Sequence, residues 1–246
     1  MFPLPWFPRS ALKWRRLATF VVLCAIPSLI QAAEAAAFPR QVRVVASYGQ
    51  DLAHAGPIYL PDHQALFFTS NRLRRADGSQ YVVVSLFDVN SGKTTDLGLS
   101  DLIPMANGAF RLKNGSIVVA MQGNLQKPAG LASFDLNSRK VTVLTEGFVG
   151  YQSNSPNDVV QAKDLSIWFT VPHYVCEQGF RPKPTIGNWV WRLAALGRSQ
   201  RLLIDGFAKP NGIALSRDQR YVNVTDSGFI SGNGKRHSLF PRTIYR

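Results

Sequence analysis

Cysteine is nearly missing. Two in 246 residues, Cys24 and Cys176, are too few for a disulfide scaffold or a zinc ribbon. Charge is sparse at 17%, and the acidic share is small, with Asp+Glu 15 against Lys+Arg 28. That excludes an acidic, disordered chain. No apolar run reaches the roughly 20 residues a bilayer-spanning helix needs. Beyond the first 37 residues no segment carries helical 3.6-residue periodicity. The 19 Gly and 15 Pro are scattered, so neither collagen nor a low-complexity tract is present. What is there is 46% hydrophobic, enough to bury the core of one large domain or two small ones. The net charge of +13 suits either a polyanion partner or the solubility of a basic exported protein. The basic runs at 72–75 and 235–237 lack the interleaved aromatics of a nucleic-acid groove, so no nucleic-acid partner is expected.

The first residues read as an address. Arg9, Lys13, Arg15 and Arg16 precede an apolar run over 17–30, broken at Pro27, and small residues follow over 31–37. This order is that of a secretory signal peptide, with cleavage near Ala35 or Ala37. The expected organisation is a signal peptide over 1–37 and a secreted domain over 38–246, with no membrane attachment after cleavage. Cleavage removes Cys24 and leaves Cys176 alone.

The rest of the chain repeats itself about every fifty residues. Segments 55–70, 107–121, 157–171 and 211–225 each run from a small or amide residue into a short apolar strand. A polar turn and a second β-branched or aromatic strand follow, which is a hairpin pattern. Between them recurs another strand–turn–strand unit, over 85–97, 132–144 and 190–203. Four short strands per period predict an all-β fold, a β-propeller. A β-sandwich with accidentally similar strands is the alternative. In a propeller the residue opening each innermost strand reaches the mouth of a central channel. That position holds Ala55, Asn107, Asn157 and Asn211, so three carboxamides are expected to converge on one axis. Each Asn taken singly also suits a turn. Carboxamide oxygens are acceptable but weak calcium ligands unless carboxylates supply negative charge. Asp158 and Asp226 are the carboxylates at hand, and both also suit strand-end turns. His54, beside Ala55, titrates near neutrality and is a candidate acid–base group.

Particular motifs are similar to a known family. SPND at 155–158, SIWFT at 166–170, QGFRP at 178–182, Gly187–Asn188 and KPNGIA at 209–214 resemble the senescence-marker-protein/gluconolactonase family, most closely its fungal lactonohydrolase branch. LAHAGPIY at 52–59 and YVNVTDSG at 221–228 are similar too. The resemblance spans roughly residues 50–246 and implies a six-bladed propeller of the gluconolactonase type, a lactone substrate and a divalent cation, usually calcium, in the channel. It implies Asn157 and Asn211 as metal ligands and Asn107 as a substrate-facing group; from the residues themselves, Asp158 is a further substrate-binding candidate, and Asp226 and His54 are the catalytic candidates.

The departures bear on activity. Ala55 stands where the family carries a Glu ligand, and Val171 where relatives often carry Asp. The sequence stops at Arg246 within what resembles an opening outer strand. The expected propeller is therefore incomplete, with about four blades, lacks the blade bearing a further Asp ligand, and binds calcium weakly or not at all. Its unpaired blade edges favour self-association. The expected activity is lactone hydrolysis, impaired by these losses. The alternatives are a non-catalytic propeller that binds a small molecule or protein, and metal-free chemistry of the strictosidine-synthase kind needing a channel Glu such as Glu146 or Glu177.

Overall fold

Three of the four polar turns of the repeat close their hairpins in the same way, while the first, Pro61–His63, is a 3-10 turn closed by the Gln64 N–H on the Pro61 carbonyl. In Asn114, Asp164 and Asp218 the side-chain Oδ1 accepts the backbone N–H two residues on, from Ser116, Ser166 and Arg220, at 3.1, 3.0 and 3.2 Å. The residue after each turns left-handed, at Gly115, Leu165 and Gln219 with φ of 90, 67 and 58°. These turns belong to a computed structural model that describes residues 43–246 apart from Arg198. The export segment expected over 1–37 lies outside the described residues. Among those described, no helix is long and apolar enough to cross a membrane.

The strands run β1 (Ala55–Leu60), β2 (Ala65–Thr69), β3 (Leu73–Arg74), β4 (Gln80–Tyr81), β5 (Val84–Asp88) and β6 (Thr94–Asp96). Then come β7 (Ala106–Arg111), β8 (Ile117–Met121), β9 (Gly130–Phe134), β10 (Val141–Thr145), β11 (Gly147–Phe148) and β12 (Tyr151–Gln152). Next are β13 (Val159–Gln161), β14 (Ile167–Val171), the one-turn helix α1 (Tyr174–Glu177), β15 (Trp189–Leu193) and β16 (Gln200–Ile204). Last come β17 (Pro210–Leu215), β18 (Val222–Asp226) and β19 (Thr243–Tyr245). They pair into antiparallel sheets ordered β1-β2-β5-β6, β7-β8-β9-β10, β13-β14-β15-β16 and β17-β18-β19, with β3-β4 and β11-β12 as side hairpins. The propeller expectation holds: these are four consecutive blades, the last three-stranded.

Sheets stack face to face, which is why their middle strands are apolar on both sides. In β8 the side chains alternate between neighbours. Ile117 and Val119 pack with Phe67 and Val84 of the first sheet, while Val118 and Ala120 pack with Phe169 and Trp191 of the third. Val160 and Val190 meet Ile213 and Val224 between the third and fourth sheets. Val171 is fully buried in this packing. The innermost strands β1, β7, β13 and β17 lie against one another in that order. Their openings therefore share one side of the fold.

Candidate functional site

Three of the four inner strands open with a β-bulge. Register breaks between Ala55 and Ile58, between Ala106 and Ala109, and between Pro210 and Ile213. A bulge at a strand end re-aims the side chains it carries. Asn107 and Asn211 sit inside two of these irregular stretches, one residue into their strands, while Asn157 lies two residues before β13.

Backbone ties fix each opening to its neighbour. Thr69 Oγ1 donates to the Asn107 carbonyl of the next blade at 3.0 Å and to the Ala55 carbonyl of its own at 3.1 Å. Thr170 Oγ1 donates to the Asn211 carbonyl and accepts the Asp158 N–H at 3.1 Å. The second blade has Ala120 in place of that threonine, and the Gly108 N–H donates to the Asn157 carbonyl at 2.8 Å instead. The main-chain carbonyls of all three asparagines are thereby occupied.

Their side chains differ. Asn107, Asn157 and Asn211 all line one cavity of about 880 Å³; the carboxamides of Asn107 and Asn157 bond no described residue, while that of Asn211 lies beside the Tyr174 hydroxyl. Asparagines elsewhere behave differently. Asn154 donates to two carbonyls, Asn188 to the Ala208 carbonyl, and Asn114 and Asn124 cap turns. The three carboxamides therefore converge on one cavity instead of capping turns of their own.

Asp158 and His54 line the same cavity. Asp158 Oδ1 accepts the Val159 N–H at 2.9 Å and Oδ2 the Ile213 N–H at 3.0 Å, so the carboxylate bridges β13 and β17. Burial raises its pKa, and the two amide bonds only partly offset this. Burial lowers the pKa of His54 first, and the positive Arg72 lowers it further, against a smaller opposing effect from Asp51. The imidazole is therefore neutral at neutral pH.

Asp226 is placed elsewhere. Its carboxylate is 2% exposed and is absent from the cavity lining. It accepts the N–H groups of Ala208, Lys209 and Gly228 at 2.9, 2.8 and 3.0 Å. It shapes the turn that enters β17, and so positions Asn211, instead of reaching a ligand. Ala55 does line the cavity and offers only a methyl group.

The structure adds groups the sequence reading passed over. Arg72, read as part of a solvated basic loop, is half-buried on the cavity wall at the entry to the β3–β4 hairpin. Gln122 and the 230–234 loop also line it. So does Tyr174, 6% exposed, the first residue of α1. Burial is the main cause of its raised pKa, so its phenol stays protonated. The hydroxyl is itself buried, with the Asn211 and Ser227 side chains beside it acting against the effect of burial. Glu177, at the other end of α1, is committed to Lys209, whose Nζ lies 2.6 and 2.8 Å from the carboxylate oxygens, and to the Gly232 N–H. It is not a free channel acid, and it is not part of the cavity lining.

The donor set does not fit a tightly held divalent cation. Among the described residues no three His, Cys, Asp or Glu side chains converge. The carboxamides are neutral, both Asp158 oxygens are bonded to strand amides, and Ala55 has no donor atom.

Known proteins are similar to this chain in sequence and fold. The chain is 29% identical over 192 residues to a gluconolactonase of Zymomonas mobilis, covering 75% of this chain and 51% of that protein. It is 26% identical over 187 residues to a lactonohydrolase of Aspergillus oryzae, covering 73% of this chain and 42% of that one. A gluconolactonase structure from Xanthomonas campestris superposes with a TM-score of 0.59 at 24% identity, over 72% of this chain and 56% of that one. The chain thus spans about half the length of the curated relatives it matches. A profile described as the SMP-30/Gluconolactonase/LRE-like region matches residues 55–228, from the first inner strand to just past β18, and the chain belongs to that family.

Proposed function

We propose that this protein hydrolyses a lactone held in the channel cavity, and that it does so as an exported protein. The observation that carries the reading is the set of three carboxamides lining one cavity with a neutral imidazole. The names of its Zymomonas and Aspergillus relatives point to the same reaction class. Hydrolysis forms a bond from water oxygen to the acyl carbon and breaks the ring C–O bond, giving a hydroxy acid. Neutral His54 is suited to accept the water proton and return it to the departing ring oxygen. The Asn Nδ2–H groups and the Arg72 guanidinium are suited to hold the negative charge that builds on the carbonyl oxygen. No step is assigned to a metal, because the donors present do not fit one tightly. The test is acid release from D-glucono-δ-lactone above the uncatalysed rate; its absence in folded protein contradicts the proposal.

A second reading is favoured by Ala55 and by the strand-bonded Asp158: a propeller that binds a lactone or hydroxy acid without turnover. Saturable binding with no acid release selects it.

The His54 assignment predicts a pH profile. Its pKa lies below the ordinary 6.5, so the protonated, inactive form accumulates only at lower pH. The rate of lactone opening should rise through a midpoint below 6.5 and stay flat above it. Arg72→Ala removes a neighbour that disfavours protonation, so this midpoint should move up towards 6.5. A midpoint unmoved by Arg72→Ala would show that His54 is not the titrating group.

Restoring the family acid tests the metal question. Ala55→Glu adds a carboxylate at the cavity mouth, and calorimetry should show calcium affinity rising at least about tenfold, or ~1.4 kcal/mol. No gain would mean that Asn157 and Asn211 do not form the rest of a ligand set. Export is tested by sequencing the N-terminus of the mature protein, with cleavage expected near Ala35 or Ala37.

A further inference from the structure

We infer that Arg72 selects lactones that carry a negatively charged group, a carboxylate or a phosphate, beside the ester. The inference rests on the lactone-hydrolase reading and names its substrate class. Arg72 is half-buried on the cavity wall, where a ligand can reach it. A guanidinium drawn partly out of water needs an anion to offset its lost hydration. Other arginines have one. Arg75, Arg111 and Arg192 pair with Asp101, Asp62 and Asp164, and buried Arg181 is held by the Lys127 and Ser153 carbonyls and by Gln152. The Arg72 guanidinium forms no ion pair and no hydrogen bond among the described residues; the bond its residue makes is from the main-chain N–H to Asn71 Oδ1, at 2.8 Å.

The nearby acids are engaged elsewhere. Asp51 accepts the Asn71 Nδ2–H at 3.3 Å. Asp158, the one carboxylate among the described residues lining the cavity, has both oxygens on strand amides. Burial lowers the pKa of Arg72 and the like charge of Arg74 lowers it further, yet a guanidinium stays charged at neutral pH. The stretch that carries it is anchored: the Ser70 N–H donates to the Val83 carbonyl and Ser70 Oγ accepts the Val83 N–H, each at 2.9 Å. A planar fork of donors matches a carboxylate or a phosphate with two parallel bonds. Stabilising the carbonyl oxygen alone would act on every lactone alike. Holding a fixed anion makes the effect of Arg72 depend on the substrate.

Two matched pairs of lactones separate these roles. D-glucaro-1,4-lactone has a carboxylate where D-glucono-1,4-lactone has a hydroxymethyl, and 6-phospho-D-glucono-δ-lactone adds a phosphate to D-glucono-δ-lactone. At least one charged lactone should be opened with kcat/KM about tenfold above its neutral counterpart, and the larger preference identifies the anion. Arg72→Gln should abolish that preference and Arg72→Lys should keep part of it, with melting temperatures close to wild type because the guanidinium has no protein partner to lose. Equal wild-type kcat/KM within both pairs overturns the inference. So does an Arg72→Gln protein whose charged and neutral rates fall by the same factor. A wild type that opens none of the four overturns the hydrolase reading; calorimetry with the same lactones then decides this inference, which stands if a charged lactone binds about tenfold more tightly than its neutral counterpart and falls if it does not.

Discussion

Gly108→Ala should destabilise the protein by about 3 kcal/mol, lowering the melting temperature by roughly 6–12 °C. A Cβ at this position would lie 2.6 Å from the Asn157 carbonyl oxygen, 2.7 Å from the Asp158 Cα and 2.4 Å from Asp158 Oδ1. Two of these are backbone atoms and cannot swing aside. The added methyl must push β7 away from the entry to β13, which breaks the Gly108 N–H bond to the Asn157 carbonyl. Asn157 and Asp158 would shift with it, so lactone turnover should fall further than stability alone explains. Gly49→Ala is the control, because nothing lies within 4 Å of its Cβ and its backbone is unstrained. Equal melting temperatures for the two variants would mean that the inner strands are not packed as described.

Asn211→Ala should leave folding nearly intact while lowering kcat/KM for lactone opening about 100-fold, the usual scale for a lost oxyanion donor. The two effects separate because the backbone and side chain of Asn211 have different work. Its carbonyl is held by Thr170 Oγ1, a bond the substitution keeps. Its carboxamide lies beside the buried Tyr174 hydroxyl, which keeps Ser227 as a neighbour after the substitution. A melting temperature within about 2 °C of wild type is expected. Wild-type turnover by this variant would remove Asn211 from the chemistry.

The blades were legible because their signals are local. Alternating apolar residues, Asx turns and a constant period identify hairpins without any long-range knowledge. The amide at each strand opening follows from that register, which is why Asn107, Asn157 and Asn211 were found together. Asp226 illustrates the limit. An Asp at a strand end has the same sequence pattern whether it faces a ligand or gathers three backbone N–H groups, and only coordinates separate the two. Arg72 and Tyr174 were missed for a related reason. They reach the cavity from a side hairpin and from a four-residue helix, and neither follows the repeat. The threonine ties were hidden in plain strand pattern. Thr69, Thr170 and Thr225 near the ends of second strands read as ordinary β-formers, yet the first two hold the neighbouring asparagine carbonyls, and Thr225 Oγ1 takes the Gly212 N–H at 2.7 Å.

The convergence of three carboxamides is most directly tested by side-chain amide NMR during titration with D-glucono-δ-lactam, an uncleavable lactone analogue. The Nδ2 signals of Asn107, Asn157 and Asn211 should move together with one dissociation constant, while turn-bound Asn114 stays still. Signals that do not move, or that titrate independently, would contradict a shared site.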